Sequence, residues 1–295
     1  MVNRLLVVMV ALSCAVLTFP LNSLAQTRSA PAEDWPGTNP TRTTTENAEV
    51  PVRDFSGLWS GLWGARLGNQ AKGVQLHPSD GTPANQPPYT PLGLQLYGTH
   101  KPLEGYDEVP PAENNDPRAR CEPLGFPRMN HYNVGVRIYQ DETNLAMLYQ
   151  YDYRWRVIWT DGRPLPELLD GGVEVNGSDF REQRWYGYSV AEWVDDYTLE
   201  VQTIGTMPED RVWLDNGGRP ISDQVKVTET LTRVDHDTLE WSETIEDPKL
   251  YSRPWQTMNV QMALQDPRVD VLTRYCSPRE VEAYNAMFGD SASAP

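Results

Sequence analysis

Cysteine, histidine and phenylalanine are scarce in this 295-residue chain, which holds three, four and five of them. The four histidines, His77, His100, His131 and His236, stand far apart without metal-ligand spacing, which argues against zinc or a redox metal. No glycine-rich run able to cradle a phosphate is present, so no cofactor is expected. Basic residues are also short in supply: 25 Lys and Arg face 41 Asp and Glu, a net charge of −16. Nucleic-acid binding needs clustered basic residues to displace counterions from phosphates, and no Lys/Arg run exists here. Apart from one stretch near the start, no apolar run approaches the roughly 20 residues a membrane-spanning helix needs. Small apolar or aromatic molecules, glycans and other proteins are the partner classes left, and oligomeric state is not legible.

The one apolar stretch, Leu5 to Phe19, follows Arg4, is interrupted by Pro20 and Asn22, and precedes Ser23-Leu24-Ala25. A positive end, a short apolar middle and a small-residue cleavage site make up a secretory signal, predicted over residues 1–26 and implying a periplasmic or extracellular destination. Cys14, behind Ala11-Leu12-Ser13, is an imperfect match to a lipid-attachment site. In an oxidising compartment Cys121 and Cys276 are expected to form a disulfide, the alternative being two buried thiols. Residues 27–53, rich in Thr, Pro and Asn, predict a disordered tether, because they cannot bury enough surface to offset chain ordering. A single domain is expected over 54–289, with a disordered tail over 290–295.

A long Pro- and Gly-rich stretch, about Lys72 to Pro127, predicts irregular structure draped over a core, with a short helix near Leu92–Tyr97. Beyond Asn133 the chain reads as hairpins, because runs rich in Val, Thr, Tyr and Trp alternate with tight-turn signals. Strands are predicted at Val134–Gln140, Leu145–Tyr151, Arg154–Trp159, Trp185–Val194, Thr198–Gly205, Gln224–Val234, Thr238–Glu246, Gln256–Leu264 and Val269–Tyr275. Ser277-Pro278-Arg279-Glu280 has the capping serine, early proline and glutamate that open a C-terminal helix. The fold class expected is all-β: an antiparallel up-and-down, lipocalin-like barrel with a long N-terminal loop region and a short C-terminal helix. A two-sheet sandwich is the alternative.

Side chains alternate faces along a strand, so the Gln224–Glu246 hairpin can be read for register. Val225, Val227, Glu229 and Leu231 share one face with Leu239, Trp241, Glu243 and Ile245 across the turn. Glu229 and Glu243 therefore fall close together on the apolar side, where burial and like charge would raise a carboxyl toward general-acid range. Pairing with arginines is the structural alternative. Tyr149-Gln150-Tyr151-Asp152-Tyr153-Arg154-Trp155-Arg156 alternates an aromatic phase with a polar one that contains Asp152 and Arg156. An inward aromatic phase would line a ligand cavity; an inward polar phase would clasp an anion. His131 introduces the first strand of the meander and could overhang a barrel mouth. Gly187-Tyr188-Ser189-Val190-Ala191 looks like a nucleophile elbow, but that motif needs a strand, a sharp turn and a helix, and here a continuous strand is predicted.

The phrases Asp54-Phe55-Ser56-Gly57-Leu58-Trp59, Asp161-Gly162-Arg163-Pro164, Gly187-Tyr188-Ser189-Val190 with Trp193, and Asp247-Pro248-Lys249 through Pro254-Trp255 occur in an order that resembles a family of exported bacterial β-barrel proteins of uncharacterised function. The likeness covers roughly residues 54–277, and Cys121, Arg156, Glu229 and Cys276 fall at matching positions. The chain departs from that pattern at Tyr188 and Ile221, where a histidine is often found. The leading expectation is an exported barrel that binds a small apolar or aromatic molecule in an aromatic-lined cavity, with Tyr149, Asp152, Arg156 and Trp241 as contacts. A second is a cofactor-free hydratase, dehydratase, isomerase or lyase acting on a terpenoid, steroid or phenolic compound, with Glu229, Glu243, Tyr188 and His131 as its acid/base groups. A third is an envelope module binding glycans or proteins.

Overall fold

A computed structural model describes residues 45, 47–61, 86–131, 135–149, 154–175, 178–181, 183–208, 210–269 and 276–279. All of them lie in one compact unit, Pro36–Pro295. The signal segment, most of the tether, the predicted strand from 270 onward and Asp152 fall outside the described residues. Among the described residues no helix is long and apolar enough to cross a membrane.

The chain builds a closed barrel. Its strands are β1 (Gly57–Gly61), β2 (Val136–Gln140), β3 (Asn144–Tyr149), β4 (Arg154–Trp159), β7 (Tyr188–Trp193), β8 (Thr198–Ile204), β9 (Lys226–Asp235), β10 (Thr238–Glu246) and β11 (Trp255–Leu264). Around the wall the order is β1-β11-β10-β9-β8-β7-β4-β3-β2. The predicted barrel is present, but the expectation of purely antiparallel strands is corrected. A ring of antiparallel neighbours must alternate direction, which requires an even number of strands. Nine strands force one parallel join, and it falls between β4 and β7. A parallel join needs a crossover. The chain between β4 and β7 supplies it and carries a separate two-stranded hairpin, β5 (Asp170–Val175) with β6 (Ser178–Arg181). The Asp161-Gly162 turn thus opens a crossover instead of a hairpin.

Alternation sets the wall's two faces. In β9 and β10 every second residue is buried, and Trp241 pairs with Leu231 while Glu243 pairs with Glu229. That is the register the sequence pattern predicts. The short helix α1 (Pro91–Tyr97) is capped by Thr90, whose hydroxyl accepts from the Gly93 amide at 3.1 Å, and Pro91 supplies the fixed first turn. Pro278 and Arg279 are helical, where the C-terminal helix is predicted to open.

The long irregular stretch does more than cover the core. Leu124, Phe126 and Met129 join Trp59, Val136, Ile138, Leu145, Leu231 and Trp241 in a single apolar cluster, so this segment enters the barrel. Gly125 makes the entry possible. Its φ of +70° is a left-handed conformation, and a Cβ there would lie 2.3 Å from Val212 Cγ2. The disulfide is present: Cys121 and Cys276 are bonded at 2.04 Å, 155 residues apart, tying this loop layer to the end of the domain.

Candidate functional site

Five of the sequence-predicted residues converge inside the barrel. Glu229 and Glu243 are both 0% exposed and face each other from β9 and β10. Arg156, on β4, donates through Nη1 and Nη2 to the two Glu229 oxygens at 3.0 and 2.5 Å. Its Nε reaches Ser189 Oγ at 3.0 Å, Nη2 also reaches Thr203 Oγ1 at 2.7 Å, and its guanidinium lies 4.2 Å over the Phe126 ring. On the other carboxylate, His131 Nε2 meets Glu243 Oε2 at 2.8 Å, and the Thr257 hydroxyl donates to the same oxygen at 2.5 Å. Asn130 bridges the halves, its Nδ2 donating to Glu229 Oε1 at 2.9 Å and to Glu243 Oε1 at 3.2 Å. The Tyr149 hydroxyl completes the ring by donating to Asn130 Oδ1 at 2.9 Å.

This network balances two acids against an arginine and a histidine within apolar walls. Buried charge is tolerable only when paired and hydrogen-bonded, and here both carboxylates are. Burial pushes the Glu229 carboxyl above the usual range and the charge of Glu243 adds to it, while the Arg156 guanidinium opposes both. Burial by itself would lower His131, yet the charge and hydrogen bond of Glu243 prevail and raise it, favouring the imidazolium. Burial also raises the Tyr149 hydroxyl, keeping it a neutral donor. His131 therefore sits inside the barrel on a buried acid, not over its mouth. Asn130 is the member sequence reasoning missed, because an asparagine in a single 3-10 turn, Arg128–His131, carries no periodic signal.

The alternating run from Tyr149 to Arg156 resolves in an unexpected way. It crosses from β3 to β4, where Tyr149 pairs with Arg154 and Met147 with Arg156. The reversal swaps the phases: Tyr149 is inward on β3 and Arg156 is inward on β4. Trp241 is buried in the core beside Leu231 and Val260. Trp59, Phe126, Met129 and Trp241 occupy the interior where a hollow was expected.

Space for a guest lies in the wall, at the parallel join. Among the described residues β4 and β7 pair at Ile158 with Ser189 and at Trp159 with Val190, then part toward their N-terminal ends. Gly187, with φ at +63°, turns the chain just before β7, and a Cβ there would come within 2.8 Å of the Ile204 carbonyl oxygen. Trp185 to Gly187 is consequently a bend, so the continuous strand predicted there is shortened, and Ser189 points inward to Arg156 and Thr203. The parting leaves a cleft of about 570 Å³ walled by Trp155, Trp159, Trp185, Tyr186 and Tyr188. Arg154, Arg156 and Arg184 also line it. Tyr188 belongs to this cleft and not to the carboxylate network; its hydroxyl accepts from Arg163 Nη1 at 3.3 Å, and the Arg184 guanidinium lies 5.5 Å from its ring. Arg156 is shared by the two places. Trp155 is 64% exposed, an unusual placement for a large apolar ring.

Among the described residues no cluster of metal-ligating side chains occurs. Compared with known proteins, the chain matches no family model and no curated sequence, and its functional assignment rests on geometry.

Proposed function

We propose that this chain is an exported barrel protein that binds a small aromatic molecule in the cleft between β4 and β7. The observation that carries the proposal is the ring-lined opening itself. Ligand sites are concave, mostly apolar, and commonly between about 300 and 1,000 Å³, with a few polar groups that fix orientation. A cleft of about 570 Å³ with five aromatic side chains and three arginines has that make-up. Two of its tryptophans are held in place by cation–π contacts on one side, Arg163 at 3.7 Å over Trp159 and Arg211 at 4.7 Å over Trp185. Such fixing lowers the cost of ordering the site when a guest arrives. Export is supported by the leader-like start of the sequence and by the Cys121–Cys276 bond, which persists in oxidising compartments.

The test is a tryptophan-fluorescence titration with naphthalene-sized aromatics on the purified mature chain. Saturable quenching is expected, and Trp155→Ala should weaken it by roughly tenfold, the effect of losing about one stacked ring. Quenching that never saturates, or a Trp155→Ala protein with unchanged affinity, would rule the cleft out as the site.

A further inference from the structure

We infer that the molecule taken up by this cleft is an aromatic acid whose carboxylate is clasped by Arg154; this rests on the proposed binding role of the cleft. Many other arginines of the chain are neutralised by a carboxylate. Arg128 is met by Asp116, Arg156 by Glu229, Arg163 by Asp161, Arg211 by Glu122, Arg219 by Asp215 and Arg268 by Asp266. Others are met by backbone carbonyls, Arg137 by Val269, Arg233 by Asp54 and His236, and Arg253 by Pro254. Arg154 differs from both groups. Its Nε is buried and donates to no protein acceptor, and among the described residues no carboxylate pairs with it.

Arg154 is only partly buried and lines the cleft, so the open end of its guanidinium, which no protein carboxylate neutralises, can meet an anionic ligand. The cleft is composed accordingly, since three of its described lining residues are arginines and none is acidic. Two other clefts of the molecule carry carboxylates instead, Glu192 and Glu200 in one, Glu167 and Asp223 in the other. The overall net charge of −16 repels anions at long range, but in physiological salt charges farther than about 8 Å are largely screened. At the cleft the local arginines therefore decide, with Arg184 adding positive charge beside Tyr188. The guanidinium of Arg156 is already committed to Glu229 and Arg184 has a partner of its own, which leaves Arg154 as the group with donors to offer.

The experiment compares 2-naphthoate with 2-naphthamide, the same ring with and without the charge, by tryptophan quenching at fixed salt. Wild-type protein is expected to prefer the acid by roughly tenfold or more, the range of a hydrogen bond to a charged group. Arg154→Gln should bring the preference close to one, and Arg154→Lys, which keeps the charge, should restore part of it. Equal binding of acid and amide by the wild type would overturn the carboxylate assignment while leaving the aromatic site intact. Saturation by neither probe would overturn the site itself. A preference that survives Arg154→Gln, in protein with an unaltered circular dichroism spectrum, would move the anion away from Arg154 and sink the inference.

Discussion

Two arginines on the same face of β4, two residues apart, live in opposite circumstances. Arg156 points into the barrel, where the Glu229 oxygens and the Ser189 and Thr203 hydroxyls receive its donors. Arg154 lies one pleat nearer the parting of the wall and has a buried nitrogen that no protein atom answers. The first is part of the structure's own electrostatic balance. The second is left for something else. Residue type does not separate the two; depth and the state of their hydrogen bonds do, since Arg156 is fully buried and Arg154 only partly so.

The largest expected effect breaks the inner partner of this comparison. Arg156→Met strands Glu229 as an uncompensated charge, and removal of one member of a buried pair costs about 3–5 kcal/mol. Urea unfolding of the variant should show that loss; a shift under about 1 kcal/mol would mean that the network is dispensable. A middle-sized effect concerns pH. The raised pKa of His131 means that the folded chain holds this proton more tightly than the unfolded chain does. Its contribution is complete below 6.5, the unperturbed value, and is lost as pH rises through the higher folded value. The raised pKa of Glu229 has the same sign: its contribution is complete below 4.5 and is lost as pH rises through the higher folded value. Unfolding midpoints should therefore fall as pH rises above 6.5, and the slope there should flatten in His131→Gln; identical slopes would dissociate His131 from stability. The smallest effect belongs to the outer arginine. Arg154→Gln should shift stability by no more than about 0.5 kcal/mol, as for a substitution outside any internal network. A loss comparable to that of Arg156→Met would erase the distinction.

The sequence made some of this legible and concealed the rest for physical reasons. Alternation along Gln224–Glu246 was enough to place Glu229 opposite Glu243, because a hairpin's register follows from its turn. It could not show that Asn130 and His131 descend from an irregular segment to meet them, since long-range loop placement leaves no periodic trace. The tryptophans and tyrosines of the cleft were visible as strand aromatics, but their grouping required knowing that β4 and β7 run side by side in the same direction. Local turn signals favour hairpins, and the Asp161-Gly162 turn gave no sign that the next strand would be skipped.

Parity has a practical consequence. A tube with an odd number of staves always has a joint whose two edges run the same way, which a tight turn cannot stitch, so those edges can spread without straining a turn. In this molecule that joint is where the rings gather. The doorway and the parallel joint coincide, and insertions in the crossover between Thr160 and Gln183 would resize it.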